Sequence, residues 1–87
     1  MAERSTDAAE RVILELLTAR GSGKTICPSE AARTLAGGNA RPAWEALMEA
    51  VRAAALRLVE DGQIVVTQRG RVVDGGTAKG PIRLRLR

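Results

Sequence analysis

The sequence predicts an α+β domain in which three helices back onto a short first strand and a C-terminal two-stranded β-hairpin. Three observations carry this. From Pro42 to Gly62, Trp44, Leu47, Met48, Val51, Ala54, Ala55, Leu58 and Val59 recur at spacings of three and four, the apolar stripe of an amphipathic helix. From Ile82 to Arg87 the chain alternates apolar and basic residues, the period of a strand with one face wet. Glycine and proline punctuation divides the remainder into two shorter helical patterns and a β-branched run. Helix, helix, long helix, hairpin is the order of a winged helix-turn-helix.

Taken in order, residues 1–5 are expected to be disordered, and residues 6–87 to form one domain. A first helix is expected from Thr6 or Asp7 to Ala19. Ala9, Val12, Ile13, Leu16 and Leu17 face inward, and Leu14 lies off the stripe. Gly21 supplies its left-handed cap. Residues 21–25, GSGKT, end like a phosphate-binding loop, but Thr18 stands where that pattern needs its first glycine. A helix also precedes them where a strand is required, so they read as a polar turn. Lys24–Cys27 can pair briefly as a strand with Ile26 inward. Pro28 opens a second helix, with Glu30 near its exposed N–H groups and Ala31, Ala32 and Leu35 inside. Gly37-Gly38-Asn39 ends it.

Pro42 suits the start of the long helix and Gly62 its exit. Ile64–Thr67 is the first strand of the hairpin. RGRVVDGGTAKG, residues 69–80, then forms a glycine-rich wing before the alternating strand. There, Ile82, Leu84 and Leu86 should pack inward while Arg83, Arg85 and Arg87 project outward.

Composition narrows the function. Trp44 is the one aromatic residue among 87, so the core must be aliphatic and alanine-rich, with Trp44 expected to be its largest contributor. If buried, its truncation to Ala would cost about 3–5 kcal/mol. A single cysteine, Cys27, excludes an internal disulfide and suits a reducing, cytoplasmic setting. No apolar run approaches a membrane span and no leader pattern is visible, so no membrane partner is expected. Residues 1–62 hold eight Lys or Arg against nine Asp or Glu; residues 63–87 hold six against Asp74 alone, a balance of +5. The positive excess sits in the hairpin, where it can attract a polyanion.

Four segments, ICPSEAAR (26–33), WEALMEAVRAAALRL (44–58), IVVTQRGRVVD (64–74) and GPIRLRL (80–86), together resemble a bacterial family of small winged-helix domains without an assigned function. The resemblance covers most of the chain beyond the start of the first helix. It implies the winged-helix fold and no particular activity.

An enzyme is not expected. The chain has no histidine, the commonest general base and metal ligand, and one cysteine builds no zinc site. Cys27 at a helix N-terminus has some thiolate character to gain, but a half-buried capping role accounts for it. No cofactor or small-molecule ligand is indicated. Duplex DNA is the leading partner by analogy of fold. Arg69, Arg71, Lys79, Arg83 and Arg85 would supply phosphate contacts from the wing and its strand. Arg41 and Arg52 are the cations of the long helix within reach of a groove, but Glu45, Glu49 and Glu60 share their surface and repel phosphate. The competing expectation is a protein-interaction module using Leu56, apolar on the otherwise polar face of that helix. A monomer or weak homodimer is expected in either case.

Overall fold

The computed structural model describes residues 2–87, with side chains from Thr6 onward. It contains four helices and a four-stranded antiparallel sheet, an α+β arrangement compatible with a winged-helix-like fold. Helix α1 spans Ala2–Arg20. Its start lies earlier than expected, so the stretch expected to be disordered falls partly on Met1, outside the described residues, and partly on the backbone of the first turn of α1. Ala9, Ile13 and Leu17 are fully buried along one face, while Val12, Leu14 and Leu16 pack at the margin of the core. Gly21, at φ +102°, takes the left-handed exit and donates to the Leu17 carbonyl. The GSGKT segment turns the chain into β1, Thr25–Ile26, where Ile26 is fully buried.

Helix α2, Pro28–Ala36, begins on its proline and ends at Gly37, φ +80°, whose N–H reaches back to the last turn together with that of Gly38. At its start the Glu30 carboxylate accepts from the Cys27 N–H at 3.2 Å, the carboxylate half of a capping box.

The single long helix expected from the sequence is in fact two pieces. Helix α3 is Arg41–Glu45 and α4 is Met48–Glu60. The ladder tightens at the join: the Leu47 N–H bonds to the Trp44 carbonyl three residues back, and Leu47 sits at φ −95°, ψ −5°. The two pieces have different neighbours, α3 packing on α2 and α4 chiefly on α1. Pro42 stands second in α3 rather than first.

The break also changes the fate of Trp44. It is half-buried at the edge of the core, with the Arg33 guanidinium 5.7 Å from the ring centroid, rather than the centre of the interior. Fully buried contributors to that interior include Ile13, Leu17, Ile26, Leu58 and Leu84.

Gly62, φ +76°, closes α4, and the Gln63 N–H reaches the Leu58 carbonyl. Strand β2, Ile64–Gln68, follows. The wing differs from expectation here, because residues 71–73 are a strand, β3 (Arg71–Val73), hairpinned onto β2. Strand β4, Arg83–Leu86, pairs with β2 on one side and with β1 on the other, giving the order β1-β4-β2-β3. Leu84 stands opposite both Ile26 and Val66 at the centre of the inner face, and all three are buried. Leu86 and Ile82 pack at its margin. The period-two expectation for β4 therefore holds.

Candidate nucleic-acid interface

The turn from β2 to β3 is two residues long, with Gln68 opposite Arg71. Both turn residues have positive φ, Arg69 at 52° and Gly70 at 81°. A primed hairpin turn demands that backbone because it matches the twist of the strands. Gly70 adopts it at no steric cost. Arg69 does not, and it is the one described non-glycine residue held there. Its side chain is exposed at the tip, and that of Arg71 is exposed beside it.

Beyond β3 the chain folds back on itself. The Asp74 carboxylate accepts from the Gly76 N–H at 2.8 Å, and its carbonyl accepts from Thr77 and Ala78. Gly75 lies so close to β2 that a Cβ there would sit 2.8 Å from Val66 Cγ2. The Gln68 side-chain amide then donates to the carbonyls of Lys79, at 2.6 Å, and Pro81, at 3.2 Å. These hydrogen bonds fix a segment whose composition suggests free movement. They also bring the backbone of Lys79 to the end of the sheet that carries Arg69 and Arg71.

The other expected site residues divide. Arg83 is engaged structurally: its guanidinium donates to the Thr25 hydroxyl at 3.0 Å and to the Thr25 carbonyl at 3.4 Å. Arg20 reaches the same carbonyl from α1 at 2.9 Å and forms an ion pair with Glu30. Partial burial opposes ionisation of Glu30. The hydrogen bonds from Arg20 and the Cys27 N–H, with the charges of Arg20 and Arg83, overcome that and hold its pKa below the ordinary carboxylate value.

Sequence reasoning missed this four-residue tie between α1, β1, α2 and β4. Arg83 is 58 residues from Thr25, and among the other members only the capping position of Glu30 is a local signal. Arg85 is half-buried, paired in register with Thr25 and Val65. On α3, Arg41 is bridged to Glu45 at 3.1 Å. Arg52 instead borders a groove between α4 and the 75–82 segment. Leu56 is 39% exposed on the same groove.

Among the described residues, no carboxylate lies within ion-pair distance of Arg69, Arg71, Lys79 or Arg85. There is likewise no cluster of potential metal ligands, and no helix long and apolar enough to cross a membrane.

The family model described as a protein of unknown function (DUF3253) matches residues 6–87, and the chain belongs to that family. No curated protein matches it.

Proposed function

We propose that this member of the DUF3253 family is a winged-helix binder of duplex DNA, not an enzyme, and that it contacts phosphates through the basic end of its sheet. One observation carries the reading: Arg69 and Arg71 stand exposed at the β2–β3 hairpin, beside the backbone of Lys79, and none of the three has a carboxylate within ion-pair distance. Unpaired cations on a fixed backbone suit a phosphate array, because counterions released from the DNA drive association and little side-chain pairing must be broken. Arg85 lies with Val65 on the sheet face opposite that of Arg71, and Arg52 borders the groove beside α4, so neither belongs to the patch at Arg69 and Arg71. Arg41, compensated by Glu45, contributes less, and Arg83 acts chiefly by holding the strand.

The helical face argues against readout of bases. Glu45, Glu49 and Glu60 are all exposed, so the mode is largely independent of sequence. The alternative, a protein-interaction module centred on Leu56, draws on that residue's exposure. Its apolar surface is interrupted by Gly75 beside it, and the DNA reading is preferred.

A gel-retardation assay with a duplex of about 25 base pairs tests this. Micromolar affinity at low salt, falling steeply as salt rises, is expected. Absence of a complex at micromolar protein and low salt would overturn it.

A further inference from the structure

The groove beside the wing is a cavity of about 330 Å³, at the lower end of the range of small-molecule sites. Its apolar floor is Ala55 and Leu56 of α4, Val66 of β2 and Ile82; Gly75 and Gly76 give it a wall without side chains. A smaller recess continues it past Gly80 and Pro81 toward Cys27 and Ser29, with Arg52 bordering both parts.

Among the described residues, Arg52 is the only charged side chain lining either part, and it has no carboxylate partner. Glu49, one turn earlier on α4, does not pair with it, and the Asp74 carboxylate is committed to the Gly76 N–H. The groove is therefore of mixed polarity, apolar at Ala55, Leu56, Val66 and Ile82, with a single cation at its border.

From this we infer that the groove binds a small aromatic monocarboxylate. The ring lies between α4 and the Ala78–Ile82 segment, with Gly75 closing the end of the groove against Val66 and Leu56, and the carboxylate accepts from the Arg52 guanidinium. The apolar lining supplies affinity for the ring, and the one unpaired cation sets the sign of the ligand's charge. The inference is independent of DNA binding and is tested without nucleic acid.

The experiment is an amide-resolved NMR titration of the full chain with phenylacetate, phenylacetamide and acetate. Phenylacetate is expected to give saturating shifts at Ala55, Leu56, Gly75, Gly76 and Gly80 in the millimolar range. The neutral amide and the ringless acetate should bind about tenfold more weakly or not at all. Arg52 is exposed, so Arg52→Gln should retain the parent spectrum elsewhere, and in it phenylacetate should fall to the level of the amide. No saturation by about 10 mM, equal binding of acid and amide, an unchanged affinity in Arg52→Gln, or shifts confined to the outer face of the sheet would each overturn the proposal.

Discussion

The helical layer and the C-terminal ribbon treat their cations differently. On the helices Arg20 meets Glu30, Arg41 meets Glu45, and Arg57 meets both Asp7 and Glu10. Arg33 lies over Trp44 instead. In the ribbon no described cation meets a carboxylate, and Arg83 alone is spent, on the neutral groups of Thr25. Exposed ion pairs contribute little stability, typically about 0–1 kcal/mol. The contrast therefore concerns recognition more than folding: the described helical arginines are engaged, Arg11 and Arg52 excepted, whereas the ribbon is uncompensated. A polyanion would sense the second.

That division requires a sheet rigid enough to hold its cations in place, and the largest expected effect comes from loosening it. Leu84 is fully buried between Ile26 and Val66. Leu84→Ala should cost about 2–5 kcal/mol, through reduced apolar burial and the cavity left behind. Chemical denaturation measures this directly. A cost under about 1 kcal/mol would mean that β4 is not an inner strand of the sheet.

The next effect tests the ribbon as the anion-facing side. Arg69→Glu combined with Arg71→Glu should weaken duplex binding at low salt at least about tenfold. It should also flatten the salt dependence by roughly one unit of slope for each phosphate no longer neutralised. Arg41→Glu with Arg57→Glu, an equal change of charge on the helical layer, should do markedly less. Equal losses of affinity from the two pairs would erase the distinction and reduce the attraction to net charge alone.

Much of this architecture was legible in the sequence because its signals are local. Pro28, Gly21, Gly37 and Gly62 each mark a terminus through their own backbone preference, and alternation along β4 places Leu84 without reference to any partner. Three features were not legible. The interruption near Leu47 has no glycine or proline to announce it; α3 packs on α2 whereas α4 packs mainly on α1, and Trp44 lies at the margin. Strand β3 is only three residues long and follows an Arg-Gly turn, where Asn-Gly would have signalled a hairpin. The engagement of Arg83 depends on Thr25, 58 residues away, so a residue counted as an outward cation proves to be a tie. The candidate interface was thus legible as a composition, whereas its split into free and engaged arginines is a property of the tertiary structure.

The tie itself gives a smaller, pH-dependent effect. Glu30 is held below its ordinary pKa in the folded chain. It therefore contributes stability that is fully present above the ordinary glutamate value of 4.5 and is lost as pH falls through the lowered folded value. Glu30→Gln should cost about 1 kcal/mol at neutral pH and less in acid, since the parent loses the same interaction there. Thermal unfolding of both proteins from pH 7 to pH 3 should bring their midpoints together. If they stay equally far apart at pH 3, ionisation of Glu30 is not what the tie depends on.

The smallest effect separates folding from recognition at one residue. Arg69 occupies a left-handed backbone that a non-glycine residue visits at a cost of about 1 kcal/mol, and that Asn tolerates better. No described hydrogen bond or ion pair holds its side chain, so folding gains nothing evident from arginine at that position. Arg69→Asn should raise stability by about 0.5–1 kcal/mol, readable as a higher denaturation midpoint with an unchanged slope, while lowering affinity for duplex DNA. Opposite signs in the two measurements would mean that the ribbon keeps its tip cation against the preference of its own turn. If stability rises while DNA affinity is unaffected, Arg69 is dispensable to the interface, and the contrast with the helical layer would have to rest on Arg71 and Lys79.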